Sequence, residues 1–141
     1  MPSASDLLGD RRRVLVTGGA GFIGGAVVRR LLRETTVTVF NLDKMGYASD
    51  LSSIEEVLSE LGEAANDRHR LQKLDLSDAA AVEAAVQEAD PDLVMHLAAE
   101  SHVDRSISGP GVFIESNVNG THNLLQAVRV HYEGLRGERR D

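Results

Sequence analysis

Gly18, Gly21 and Gly24 recur at every third position of Thr17-Gly18-Gly19-Ala20-Gly21-Phe22-Ile23-Gly24, and Gly19-x-Gly21-x-x-Gly24 overlaps them. Glycines so spaced suit a turn that holds a pyrophosphate. One adopts the dihedrals of a tight turn, one lets the main chain approach the phosphates, and one lets a helix pack closely on a strand. A helix opening there presents free N–H groups and partial positive charge to an anion. Ordinary turns also use glycine, so the reading depends on what flanks it. Here an apolar run precedes, a helical period follows, and the acid Asp43 stands about 20 residues beyond Gly24, the distance of a dinucleotide fingerprint. A carboxylate there accepts hydrogen bonds from the adenosine ribose hydroxyls and repels a 2′-phosphate. NAD is therefore expected in preference to NADP, with neighbouring Lys44 softening the discrimination.

Asp75-Leu76 follows a further short apolar run and admits two readings. In this architecture the position faces the adenine edge, where a carboxylate accepts from the amino group; the alternative is a helix cap. The densest polar stretch is His96-Leu97-Ala98-Ala99-Glu100-Ser101-His102-Val103-Asp104-Arg105-Ser106-Ile107. Small Ala98 and Ala99 at a strand end suit close passage of the nicotinamide half. Glu100, Asp104 and Arg105 read either as a surface ion-pair set or as direct contacts. His96, inside an apolar strand, reads as a core histidine with its hydrogen bonds satisfied. His96 and His102 have no further ligand at metal spacing on one element, so no metal site is expected.

The elements that must position these groups alternate. Residues 1–12 lack periodicity and read as a flexible leader, and Arg11-Arg12-Arg13 as the solvated approach to a strand. Val14–Val16 is a buried parallel strand. From Phe22 a helix sets Phe22, Ile23, Ala26, Val27 and Leu31 against Arg29, Arg30 and Arg33. Thr36–Leu42 is a second strand, and a helix near Leu51–Leu61 carries Leu51, Ile54, Leu58 and Leu61 on one face. Leu71–Leu74 is a third strand. Ser77 or Asp78 caps a helix to about Ala89, with Glu83 as its early acid. Leu93–Leu97 is a fourth strand. After Gly109-Pro110-Gly111 a long helix runs to about Val130, offering Phe113, Val118, Leu124, Leu125 and Val128 for burial. Parallel strands need long crossovers, so this alternation predicts an α/β fold, a doubly wound Rossmann-like parallel sheet of order 3-2-1-4. The sheet is expected to be incomplete, with an apolar edge on strand four. The expected division is leader 1–12, nucleotide-binding domain 13–133 and polar tail 134–141.

Composition narrows the function classes. Fifteen Lys and Arg against 22 Asp and Glu give a net charge of -7, which argues against a nucleic-acid or anionic-membrane surface. With no cysteine there is no disulfide framework, zinc–thiolate site or thiol catalysis. No run approaches the ~18 apolar residues of a membrane span. A cytoplasmic protein is expected.

Thr17–Gly24, Asn41-Leu42-Asp43-Lys44-Met45-Gly46-Tyr47-Ala48, Leu97–Ile107 and Phe113–Thr121 together resemble the extended short-chain dehydrogenase/reductases. Within that family they look most like the dTDP-glucose 4,6-dehydratases. The resemblance covers about 13–133 and corresponds to the first part of a family member. It implies NAD contacts at Gly18, Gly21, Phe22, Ile23, Gly24, Asp43, Lys44, Met45, Gly46, Asp75, Leu76, Leu97, Ala98, Ala99, Glu100, Ser101 and Ser116. It also implies nucleotide-sugar contact at Ser101 and His102, and pairing of subunits through the long helix, hence a homo-oligomer. The family's base, a Tyr followed four residues later by Lys, has no counterpart: Leu51 follows Tyr47 at that distance and Arg136 follows Tyr132. Its Thr-Asp-Glu acids do not occur either, so no catalytic residue is assigned. Two alternatives stand beside this reading, a nucleotide-sugar epimerase of the same family and a non-catalytic NAD-binding module.

Overall fold

The computed structural model describes residues 1–140. Val14, Leu15 and Val16 are fully buried on both sides of β1 (Arg13–Thr17), as a central parallel strand requires. β1 pairs in parallel with β2 (Thr38–Asp43), Val14 opposite Val39 and Val16 opposite Asn41. Its other neighbour is β4 (Leu93–His96), and β3 (His69–Lys73) lies outside β2. The order is β3-β2-β1-β4, as the strand–helix alternation predicts.

Pleating sends Val14, Val16 and Val39 to one face and Leu15, Phe40 and Leu42 to the other. On the first face α2 (Phe22–Glu34) and α3 (Ser52–Leu61) bury Val28, Leu31, Leu32, Ile54 and Val57. On the second, α4 (Ala79–Ala89) and α7 (Gly120–Gly134) bury Val82, Ala85, Val86, Leu124 and Ala127. Each Val or Leu so covered contributes ~1.5–3 kcal/mol. The burial stripes differ from expectation in two helices. In α2, Phe22 and Ile23 are exposed and Gly24, Gly25, Val28, Leu31 and Leu32 are buried, because the first turn faces a cleft and not the core. In α3, Val57 takes the place expected for Leu61.

The leader is not loose throughout. Ser3 and Asp6 form a reciprocal capping box that starts α1 (Ala4–Leu8), whose Leu8 joins the core beside α2. Arg13 is likewise no solvated side chain: its Nε donates to the Ala89 carbonyl at 2.7 Å, and its guanidinium lies over Phe40. Two short helices, α5 (Val103–Ser108) and α6 (Pro110–Phe113), precede α7, and a π-helical segment, Ile114–Asn119, joins α6 to α7. Of the residues expected for burial here, Leu124 is buried and Phe113 and Val128 half-buried, while Val118 and Leu125 face outward. The tail folds back through Arg139, paired with Asp90 at 2.9 Å.

Candidate functional site

The glycine turn leaves β1 at its carboxyl end. Gly18 has φ +71°, in the left-handed region, and a Cβ there would meet the Ala98 backbone at 2.7 Å. A Cβ at Gly24 would sit 2.0 Å from the Gly18 carbonyl oxygen. Gly18 thus makes the turn, and Gly24 lets α2 approach it. Gly21 is the N-cap of α2 and supplies no side-chain cap, so the first-turn N–H groups stay available to an anion.

Asp43 ends β2 and is buried. Its Oδ2 accepts from the Ala20 N–H at 3.0 Å, and its Oδ1 accepts from the Met45 N–H at 2.8 Å and the Ser49 hydroxyl at 2.9 Å. These bonds occupy three of the roughly four acceptor sites of a carboxylate. One carboxylate therefore fastens the glycine turn and the following loop while also lining the cleft. Lys44 forms an ion pair with Glu100, across the cleft. Met45, at φ +56°, does not line the cleft; its contribution is the N–H given to Asp43.

At the end of β4 a single proton arrangement satisfies a chain of side chains. The Thr121 hydroxyl donates to the Asn117 carbonyl at 2.8 Å, so its oxygen accepts from His96 Nε2–H at 2.9 Å. His96 Nδ1 is then bare and accepts from the Thr17 hydroxyl at 2.6 Å. Thr17 Oγ1 in turn accepts the Leu97 and Ala98 N–H groups at 3.1 and 3.2 Å. His96 is the satisfied histidine expected, and burial holds its pKa below the ordinary 6.5. From the π segment, the Asn117 side chain brackets Glu100, accepting its N–H at 2.8 Å and donating to its carbonyl at 2.9 Å.

Around these groups lies a cleft of about 450 Å3 at the carboxyl ends of the strands, where β1 turns from β2 on one side to β4 on the other. It gathers Gly18, Gly21, Phe22, Ile23 and Gly24 with Asp43, Lys44 and Gly46, and these with Asp75 and Leu76. Leu97, Ala98, Ala99, Glu100, Ser101, His102 and Ser116 complete the opposite side. Asp75 accepts from the Ser77 N–H in a local turn at 2.9 Å, while Asp78 caps α4, so the capping reading of Asp75 gives way. Glu83 falls beyond the first turn of α4, which begins at Ala79. Sequence reasoning left Leu42, Tyr47, Ala48, Ser49 and Leu74 off the list of contacts, although all five line the cleft. Tyr47 and Ala48 stood inside a quoted motif; Leu42 and Leu74 could have been found as the residues at the ends of β2 and β3. Tyr47 lies against His102, with ring centroids 5.5 Å apart. Among the described residues no three His, Asp or Glu side chains come together to hold a metal, and no helix is long and apolar enough to cross a membrane.

Known proteins are similar to this chain in sequence. The dTDP-glucose 4,6-dehydratase of Neisseria meningitidis serogroup B is 47% identical over 130 residues, 92% of this chain and 35% of that protein. The dTDP-glucose 4,6-dehydratase of Salmonella typhimurium is 45% identical over 123 residues, 87% and 32% of the two. Among solved structures, DesIV, the dTDP-glucose 4,6-dehydratase of Streptomyces venezuelae crystallised with NAD, superposes with a TM-score of 0.70 at 40% identity. It is covered over 36% of its length and this chain over 84%. A UDP-glucose-4-epimerase from Stenotrophomonas maltophila with bound NAD also gives 0.70, at 31% identity, over 84% of this chain and 33% of that one. The chain spans about a third of the length of the curated relatives it matches. The family model described as GDP-mannose 4,6 dehydratase matches residues 15–139, and the chain belongs to that family.

Proposed function

We propose that this chain is the NAD-binding portion of a nucleotide-sugar 4,6-dehydratase acting on dTDP-glucose. The observation that carries the reading is the cleft itself, which unites the glycine turn, an uncapped helix N-terminus and Asp43 at the switch point of the sheet. Gly18 makes the turn and Gly24 lets α2 close onto it, and the main-chain N–H groups so presented suit a pyrophosphate. The N-terminal turn of α2, with Phe22 and Ile23, receives the pyrophosphate. Asp43 takes the adenosine ribose, and Asp75 with Leu76 borders the adenine. Ala98 and Ala99 floor the nicotinamide half beside Ser116, and Ser101 and His102 meet the nucleotide sugar. NAD held there would supply hydride-transfer chemistry to the nucleotide sugar. The 141 residues contain neither Tyr-x-x-x-Lys nor Thr-Asp-Glu, so this chain by itself binds without turnover. The 47% and 45% identity to the Neisseria and Salmonella dehydratases favours the dehydratase over the epimerase reading.

Copies of the chain are inferred to pair through the outward face of the π segment and α7. The cytoplasm is the compartment that fits a cysteine-free chain. Calorimetric titration with NAD and NADP tests the central claim. NAD should bind more tightly, and Asp43→Ala should narrow the gap while weakening the fold, since Asp43 also anchors the turn. Equal or tighter binding of NADP would overturn the role given to Asp43. Accumulation of a 4-keto-6-deoxy sugar nucleotide with the purified 141-residue chain would overturn the claim of binding without turnover.

A further inference from the structure

We propose that Tyr47, Arg105 and His102, flanked by the Lys44–Glu100 ion pair, form a clasp over the mouth of the cleft that retains a bound dinucleotide. The clasp follows from sheet order. β1 lies between β2 and β4, and adjacent strands stand about 4.8 Å apart, so the ends of β2 and β4 are separated by roughly 10 Å. A contact between the loop after β2 and the loop after β4 must pass over the end of β1, where the glycine turn begins. Two contacts do so. Arg105 Cζ lies 3.8 Å from the centre of the Tyr47 ring, and the His102 ring lies 5.5 Å from the same ring, centroid to centroid. Beside them, the Lys44 ammonium meets the Glu100 carboxylate.

Both loops are anchored from below beside the clasp, so rotation of its side chains is enough to open or close it. The loop after β2 is held by the Ser49 hydroxyl on Asp43 at 2.9 Å and by the Asp50 N–H on the Ala20 carbonyl at 2.8 Å. The loop after β4 is held by the Asn117 bracket on Glu100. The clasp residues themselves are outside the core: Tyr47 is 62% exposed, and Arg105 and His102 are exposed. Among the described residues Arg105 has no carboxylate partner; its neighbour is the ring. Side chains this open are held in place by one another and not by burial, which suits groups that part to admit a ligand and then reclose. A cation over an aromatic face gains strength as water is excluded, so a ligand filling the cleft beneath would tighten the contact.

The clasp rests on the dinucleotide reading above, and release kinetics separate the two. NADH is bound to the 141-residue chain and chased with excess NAD, its fluorescence following dissociation. Tyr47→Ala and Arg105→Ala should each release NADH about three- to tenfold faster, the range of one exposed to partly desolvated cation–π contact. Tyr47→Phe should keep the slow rate because the ring remains, and Glu100→Gln should hasten release through the second contact. Melting temperatures equal to that of the parent chain would exclude a merely structural effect. Parent-like release from both alanine variants, with NADH bound, would overturn the clasp alone. Failure of the parent chain to bind NADH would overturn the dinucleotide reading and the clasp with it.

Discussion

A Cβ at position 24 would lie 2.0 Å from the Gly18 carbonyl oxygen, deep inside its van der Waals surface, whereas one at Gly111 meets nothing within 4 Å. Gly24→Ala must therefore push α2 off the turn. It is expected to cost about 1–3 kcal/mol in denaturant unfolding and to abolish cofactor binding. Gly111→Ala, at an open helical position, should leave stability unchanged or raise it by up to about 1 kcal/mol. His96 gives a second prediction at this scale. Its Nδ1 faces the Thr17 hydroxyl as an acceptor, and burial lowers its pKa below 6.5; burial lowers that of His69 as well. The unfolded chain therefore takes up protons at a higher pH than the folded one. Stability from this source is complete above 6.5 and declines as pH falls below it. Urea midpoints at about pH 7.5 and about pH 5.5 should differ, and His96→Gln should remove part of that difference, leaving the share of His69.

The π segment Ile114–Asn119 borders the cleft from the helical side. π turns often occur at functional sites, and this one carries Asn117 to the Glu100 backbone and Ser116 to the cleft lining. Asn117→Ala removes two hydrogen bonds at once. The expected loss is about 1–3 kcal/mol of global stability, with faster hydrogen exchange at the Glu100 amide in particular. A loss of stability without local exchange at Glu100 would count against the bracket. α4 offers a simpler test: Asp78 caps it by accepting from the Ala81 N–H at 3.1 Å, so Asp78→Ala should cost about 0.5–2 kcal/mol.

Over the whole molecule, two surfaces remain distinct. β3 ends the sheet on one side with Arg70 and Lys73 outward, charges that blunt an edge, whereas β4 at the other side is apolar and half-buried. Along the adjacent helix Ile114, Val118, Leu125 and Tyr132 are 55, 60, 64 and 47% exposed, and their steps of four and seven residues form one stripe. Burying that stripe against a second copy would remove apolar area worth about 25 cal/mol per Å2. The pairing inferred above then predicts that Leu125→Glu lowers the sedimentation coefficient at micromolar concentration to that of a monomer while the circular dichroism stays unchanged. If the parent chain is already a monomer, the pairing fails. At the opposite end, Arg139 holds the Asp90 carboxyl below its ordinary 3.8, so the tail contact is present above that value and is lost as pH falls through the lowered one.

The chain's own periodicities determined the α/β class, the 3-2-1-4 order and the glycine turn with Asp43 at its flank. These are local codes: apolar alternation, helical spacing, and a backbone angle that glycine alone adopts without strain. They read true because both faces of β1 and β2 had to be apolar and because the turn's conformation is decided within a few residues. What the tertiary structure alone decided are meetings between distant segments. Leu8 docks beside α2, Lys44 reaches Glu100, Tyr47 lies under Arg105, and the Asn117 amide brackets Glu100. No period in the chain marks such pairs, since their contact depends on which strands the crossovers place side by side. The same cause makes Phe22 and Ile23 cleft wall, where the family resemblance put them and the helical stripe alone did not: a stripe says which residues share a face, and only the packed sheet says what that face meets.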